Sequence, residues 1–247
     1  MCRLAKLAFA ILLAALPASA QFAFGETGAV GVAPPAATVT VCGGGTKNGN
    51  NSAAGITWTL GCTVPTGNLA VFAIGVNQGF APVSGVPSDN NGASDTWQCD
   101  QDLISGSALE MCSAVASAGI TSVTWNSGGS SGQYGAFLAY ATPVLTTAWA
   151  DVGNKGTAST TALTVTATAA ATTNDIAFAA FMASSTSDPT LTIQTAGYTA
   201  ILSDANLVTN RYYTVGWKTA SAGSTPSAQS HTTITVGQWG VLEAYKE

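Results

Sequence analysis

A nine-residue phrase occurs twice in this 247-residue chain. Gly132-Gln133-Tyr134-Gly135-Ala136-Phe137-Leu138-Ala139-Tyr140 matches Gly237-Gln238-Trp239-Gly240-Val241-Leu242-Glu243-Ala244-Tyr245 at an offset of 105. Two further blocks recur in the same order. Ala116-Ser117-Ala118-Gly119 returns as Ala220-Ser221-Ala222-Gly223 at offset 104, and Leu69-Ala70-Val71-Phe72-Ala73-Ile74 is echoed by Ile176-Ala177-Phe178-Ala179-Ala180-Phe181 at offset 107. Blocks repeated in one order at nearly one spacing imply a doubled architecture. The half-repeats run over about 64–145 and 170–247.

Period-two alternation says what is doubled. Ile56, Trp58, Leu60 and Cys62 alternate with Thr57, Thr59 and Gly61; Leu163, Val165 and Ala167 alternate with Thr164, Thr166 and Thr168. Tyr213, Val215 and Trp217 alternate with Tyr212, Thr214 and Gly216. Each reads as a half-buried strand, apolar inward and polar outward. Turn-rich segments separate them at 42–55, 84–95, 126–132 and 184–189. The alanine-rich run Ala167–Ala171 is flanked by threonines and reads as strand then turn. The expectation is an all-β chain in which the two halves, each unable to bury its apolar face alone, complete a single jelly-roll-like antiparallel β-sandwich over 38–247; two separate small domains are the alternative, disfavoured because Pro143–Thr172 contains a strand rather than a linker.

The N-terminus reads as a secretory signal. Arg3 and Lys6 precede the apolar run Leu7–Leu16, and Ala18-Ser19-Ala20 has the form of a cleavage site, so 1–20 is a signal peptide and 21–37 a flexible leader. The apolar run is too short to span a bilayer, and no later stretch reads as a span. Removing the signal leaves 5 basic against 12 acidic residues. Such a chain lacks the cationic face that binds phosphates, which argues against nucleic acid. Cys42, Cys62, Cys99 and Cys112 remain, an even set in an exported chain. Of the three pairings, Cys42–Cys62 and Cys99–Cys112 are favoured because each closes a short loop, worth about 3 kcal/mol apiece.

From Gly67 onward, a series of pieces carries a resemblance: GNLAVFAIGV, NNGASDTW, SAVASAGITSVTW and GAFLAYATPV in the first half, and NDIAFAAF, AGYTAI and QWGVLEAYK in the second. Their order resembles jelly-roll-like β-sandwich modules found singly or in tandem in adhesin-like exported bacterial proteins. The resemblance implies a fold and a place at the cell surface, and it brings no catalytic residues. The four cysteines and the stretch Val39–Cys62 depart from it.

Few residues suggest chemistry. Gly128-Gly129-Ser130-Ser131-Gly132 fits G-x-S-x-G, with His231 and intervening Asp151, Asp175 and Asp188 in hydrolase order. The nucleophile elbow needs strand, turn and helix, whereas Gly135–Leu138 reads as strand. His231 reads as a surface residue, on the grounds that Ile234 and Val236 mark the inward face. Asp95, Asp100, Asp102 and Glu110 show no paired-acid pattern of a glycosidase. The oxygen-rich segment Asp89–Asp95 offers Asp89, Asn91 and Asp95 as ligands for calcium, with Asp100 and Asp102 nearby, although Asx turns explain the same composition. Trp58, Trp125, Trp217 and Trp239 fall on apolar strand faces. Trp97, with Asn90, Asn91 and Asp95 beside it, is the candidate platform for a sugar ring. Asn50-Asn51-Ser52 is a glycosylation pattern.

Together these features point to a secreted, non-catalytic module for adhesion to surface glycan or another extracellular partner. A secreted glycoside or ester hydrolase, and a structural subunit that self-associates through edge strands, are the alternatives.

Overall fold

Two strands bear apolar or small side chains on both faces, and they set the layering. The computed structural model describes residues 38–49, 56–77, 86–104, 108–125, 132–142, 150, 152–208 and 210–246. The signal peptide and leader, Asn50–Ser52, Ser130, Trp149 and Asp151 lie outside them. The first half comprises β1 (Thr38–Gly49), β2 (Ile56–Val64), β3 (Leu69–Asn77), β4 (Ser88–Asp89), β5 (Gln98–Ile104), β6 (Ala108–Val115), β7 (Ile120–Trp125) and β8 (Gly132–Thr142). The second comprises β9 (Val152–Thr160), β10 (Thr164–Thr166), β11 (Asp175–Ser184), β12 (Thr192–Ile193), β13 (Thr199–Val208), β14 (Arg211–Ala220), β15 (Ser227–His231) and β16 (Val236–Lys246). All described pairings are antiparallel.

The halves share one topology. The first makes a five-stranded sheet, β1-β8-β3-β6-β5, and a three-stranded sheet, β2-β7-β4; the second makes β9-β16-β11-β14-β13 and β10-β15-β12. Adding eight to each strand number converts one half into the other. Within a half, first pairs with eighth, second with seventh and third with sixth, while eighth also meets third and seventh meets fourth. That is a long hairpin rolled up on itself, the jelly-roll path.

The all-β, antiparallel class expected from the alternation is present, but the layering differs from a single sandwich. Four sheets stack in the order three, five, five, three strands, enclosing three cores. Trp58, Phe72, Trp97, Ile120, Trp125 and Leu138 fill the first half. Leu163, Val165, Phe181, Leu191, Tyr212 and Leu242 fill the second. The third lies between the two five-stranded sheets, where Leu69, Val71, Leu109, Met111 and Phe137 meet Ile176, Phe178, Met182, Tyr213, Val241 and Tyr245. Strand β11 shows why. Ile176, Phe178, Ala180 and Met182 face the middle layer, while Ala177, Ala179, Phe181 and Ala183 face the second-half core. A strand covered on both sides reads as a continuous apolar run. The same reason corrects the reading of β14: Tyr212, Thr214 and Gly216, expected outward, are buried because that sheet has no solvent face.

The middle layer has internal two-fold character. Strand β5 lies against β9 and β16, and its counterpart β13 lies against β1 and β8. The contact is therefore reciprocal, as in an isologous dimer interface.

The ladders also re-register the repeated phrase. Leu69 pairs with Ala141, and its equivalent Ile176 pairs with Tyr245, so β8 and β16 are related by an offset of 104. The nine-residue match at 105 is one residue out of register, which turns matched side chains to opposite faces. Tyr140 packs on the first-half core whereas Tyr245 lies in the middle layer; Phe137 lies in the middle layer whereas Leu242 fills the second-half core.

Tyr213 of β14 crosses the middle layer and seats its ring on Gly75 of β3. A Cβ built on Gly75 would lie 2.0 Å from Tyr213 Cε1. The Tyr213 hydroxyl is buried and has no hydrogen-bond partner, and burial pushes its pKa far up. An adjoining cavity of about 10 Å³ is lined by apolar residues including Leu109, Phe137 and Leu202. Gly75→Ala is therefore expected to destabilise the fold by about 1–3 kcal/mol through overpacking. Tyr213→Phe, which deletes an unsatisfied hydroxyl, is expected to leave stability unchanged or raise it. Urea denaturation of both variants checks the pair.

Candidate functional site

The residues singled out in the Asp/Asn segment do converge, around a turn of their own half. Strand β4 ends at Asp89, a single 3-10 turn spans Gly92–Ser94, and the chain then runs through Trp97 into β5. Asp89 Oδ1 accepts the Asn91 backbone N–H at 2.7 Å, an Asx turn. Asp89 Oδ2 accepts the Trp97 indole N–H at 2.8 Å. Asn91 Nδ2 donates to Asp95 Oδ2 at 2.8 Å and to the Ala118 carbonyl at 3.1 Å. Asp95 Oδ1 accepts the Ser117 N–H at 2.6 Å. Asn90 Oδ1 accepts the N–H groups of Thr121 and Ser122, while its Nδ2 donates to the Gly119 carbonyl at 2.9 Å.

This network clamps the Ser117–Gly119 turn between β6 and β7 against the end of the first sandwich. All four carboxylate oxygens of Asp89 and Asp95 accept N–H donors from the protein. The oxygens a calcium ion would need are thus engaged, and the shape of the loop is accounted for without a cation. Among the described residues no group of three or more His, Cys, Asp or Glu side chains could hold a metal. The side chains of Asp100 and Asp102 lie outside the described residues. Trp97 is only 5% exposed and stands edge-on to Phe72, with ring centroids 6.4 Å apart, so its ring faces the core rather than solvent.

The two carboxyls are pushed apart in acidity. Burial raises the Asp89 pKa, partly offset by the bonds from Trp97 and Asn91, with the nearby Asp95 adding to the rise. Burial also acts on Asp95, but the bonds from Asn91 and Ser117 outweigh it and hold the pKa below the usual value. Bonds to a carboxylate favour its charged form.

Among the described residues, the remaining candidates do not assemble a catalytic group. The glycines of the G-x-S-x-G pattern lead at Gly132 into strand β8, not a helix, and Ser130 is outside the described residues. His231 ends β15 opposite Thr192. It does lie on the outer face, but for another reason than the expected strand through 231–236. Thr232 is buried and Ile234 is 42% exposed in a turn, and it is Ala228 and Ser230 that point inward. Glu110 faces away from Leu109 and Met111, as its strand position requires, and accepts the Trp125 indole N–H at 3.1 Å inside the first core. The disulfides Cys42–Cys62 and Cys99–Cys112 are formed as expected, the first joining β1 to β2 across the sheets and the second joining β5 to β6.

No family model, curated protein or solved structure matches the chain.

Two polar groups escaped the sequence reading. Glu243 is fully buried in the middle layer, where it accepts the Tyr245 hydroxyl. Gln238, also fully buried, accepts Ser230 Oγ at 2.5 Å and donates to the Thr160 carbonyl and Thr232 Oγ1, tying β15 to β16. The signal was present, since Glu243 is the one charged residue in an otherwise apolar stretch, Gly240–Tyr245.

Asp95→Asn tests the clamp. It puts an amide where two N–H donors need acceptors, so a loss of about 1–3 kcal/mol is expected at neutral pH. A lowered carboxyl pKa contributes stability above the unfolded value that disappears as pH falls through the folded value. The gap between wild type and Asp95→Asn should therefore narrow on acidification below the ordinary aspartate range. Asp89 has the opposite sign: its raised pKa makes it most favourable to folding at low pH, an advantage lost as pH rises through the folded value. Denaturation of wild type and variant at neutral and acid pH checks the expectation.

Proposed function

We propose that this chain is an exported, non-catalytic β-sandwich module that binds surface glycan through the outer faces of its three-stranded sheets. The observation that carries the reading is the chemistry of those faces. On the first, Thr57 and Thr59 are exposed, and Thr57 Oγ1 lies 2.7 Å from Thr124 Oγ1 on the neighbouring strand. On the second, Gln229 Nε2 donates to Thr164 Oγ1 at 2.7 Å, and Thr166 Oγ1 lies 3.1 Å from Ser227 Oγ. Each hydroxyl keeps further capacity to donate or accept. Strand geometry spaces such groups about 4.8 Å across the sheet and about 7 Å along alternate residues. A neutral hydroxyl array suits a neutral polyhydroxylated ligand.

Two other features support the reading. The described carboxylates of Asp89, Asp95 and Glu110 serve indole and amide donors. Two disulfides suit an oxidising compartment. The resemblance to adhesin-like modules points the same way. The ligand-contacting surface moves, however, from Trp97 and its Asx neighbours, which are consumed by the turn clamp, to the threonine rows.

Glycan-array screening tests the proposal. Wild type should give a ligand, and Thr57→Val with Thr124→Val, or Thr164→Val with Thr166→Val, should weaken it about tenfold or more while preserving the strand, since valine suits β structure. Absence of binding to any glycan, or binding that survives both double substitutions, contradicts it.

A further inference from the structure

We propose that β9 is a self-pairing edge through which two copies of this chain join into one continuous sheet. The argument begins with the four edges of the two five-stranded sheets. Strand β13 breaks register three times against β14. Strand β5 breaks register between Gln98 and Gln101, beside the Cys99–Cys112 bond. Strand β1 breaks register near Cys42, where a Cβ on Gly61 of β2 would lie 3.3 Å from the Cys42 carbonyl and the Cys42–Cys62 bond closes the flank. Bulges, breaks and covers of this kind are how sheets blunt their edges. Strand β9 alone among the four pairs in unbroken register, over nine residues from Val152 to Thr160.

Part of that edge is closed. The Gly153 carbonyl, turned away from β16, accepts the Thr168 N–H at 3.3 Å, and Asn154 Nδ2 donates to the Thr166 carbonyl. By strand alternation Lys155, Thr157 and Ser159 turn their main-chain groups the same way as Gly153. The Lys155 N–H is held by Asn154 Oδ1 at 2.8 Å. The outward N–H and C=O groups of Thr157 and Ser159 take no hydrogen bond from the described residues.

These four groups are complementary to their own copy. An antiparallel pair about a two-fold axis at Ala158 sets Thr157 of one copy opposite Ser159 of the other, twice. All four groups are then satisfied on each copy, and a Thr–Ser side-chain pair is added on each side of the axis. In that register Lys155 falls opposite Thr161, so the lysines do not oppose each other. A second copy is thus the occupant that satisfies the open stretch with no residue misplaced. The pair would also present the threonine faces in duplicate, though the pairing stands independently of any glycan.

Sedimentation of the full secreted chain from about 1 μM to about 1 mM tests it, the range in which so small a contact registers. Wild type should pass from monomer to dimer and stop there, because an isologous contact closes. Ser159→Pro removes an outward N–H and is compatible with an edge strand, so it should raise the dissociation constant tenfold or more, while Ser159→Ala, which keeps the N–H and loses only the side-chain pairs, raises it by a smaller factor. Should Ser159→Pro fail to fold, Ala158→Cys serves instead: its thiols meet across the axis and should give a covalent dimer on mild oxidation. A wild type that stays monomeric throughout, a Ser159→Pro variant that folds and dimerises like wild type, or an Ala158→Cys variant that gives no cross-link where wild type is dimeric would overturn the proposal.

Discussion

Burial of β3 and β11 on both faces is the constraint on which the rest of the molecule depends. A strand with apolar side chains on alternate sides must be covered twice. Within each half the three-stranded sheet covers one side. Nothing within the half covers the other, so the halves cover each other. The middle layer follows from this, as does the two-fold exchange in which β5 meets β9 and β13 meets β1. It also explains why the solvent-facing polar rows occur on the outer sheets, where only one face needs cover.

The two copies have diverged in how they secure their ends. The first carries all the cysteines of the described strands and the Asp89–Asp95 clamp. The second has neither, and ties its outer sheet to its inner one with the buried Gln238, Ser230 and Thr232. Both solutions hold a β-turn or hairpin against the sandwich with satisfied polar groups, which is the condition for burying them at all. The Tyr213–Gly75 contact is likewise unshared. At the two-fold equivalent positions stand Leu109 and Met182, so a ring over a glycine on one side is replaced by two aliphatic chains on the other.

Much of the fold was legible in the sequence because alternation reports which side of a strand meets water. Ile56–Cys62 and Leu163–Ala167 behave as their patterns require, and the short-loop argument finds both disulfides. The layering was not legible from alternation, because a strand covered twice does not alternate. Its signal lay in the unbroken runs Leu69–Ile74 and Ile176–Met182. The nine-residue phrase was a true marker of equivalent strands and a false marker of register, a distinction that only the ladders make. At the Asx loop, composition located the cluster correctly: Asp89, Asn90, Asn91, Asp95 and Trp97 do lie together. Composition could not show that their hydrogen bonds point at backbone N–H groups and an indole, since a ligand site and a turn clamp draw on the same residues.

Native-state hydrogen exchange tests the central claim most directly. If the middle layer joins the halves into one cooperative unit, amides of β3 and β8 should open with the same free energy as those of β11 and β16, and with the same denaturant dependence. Two separate sets of opening free energies, with one half exchanging while the core of the other stays protected, would show that each sandwich stands alone and would contradict the account.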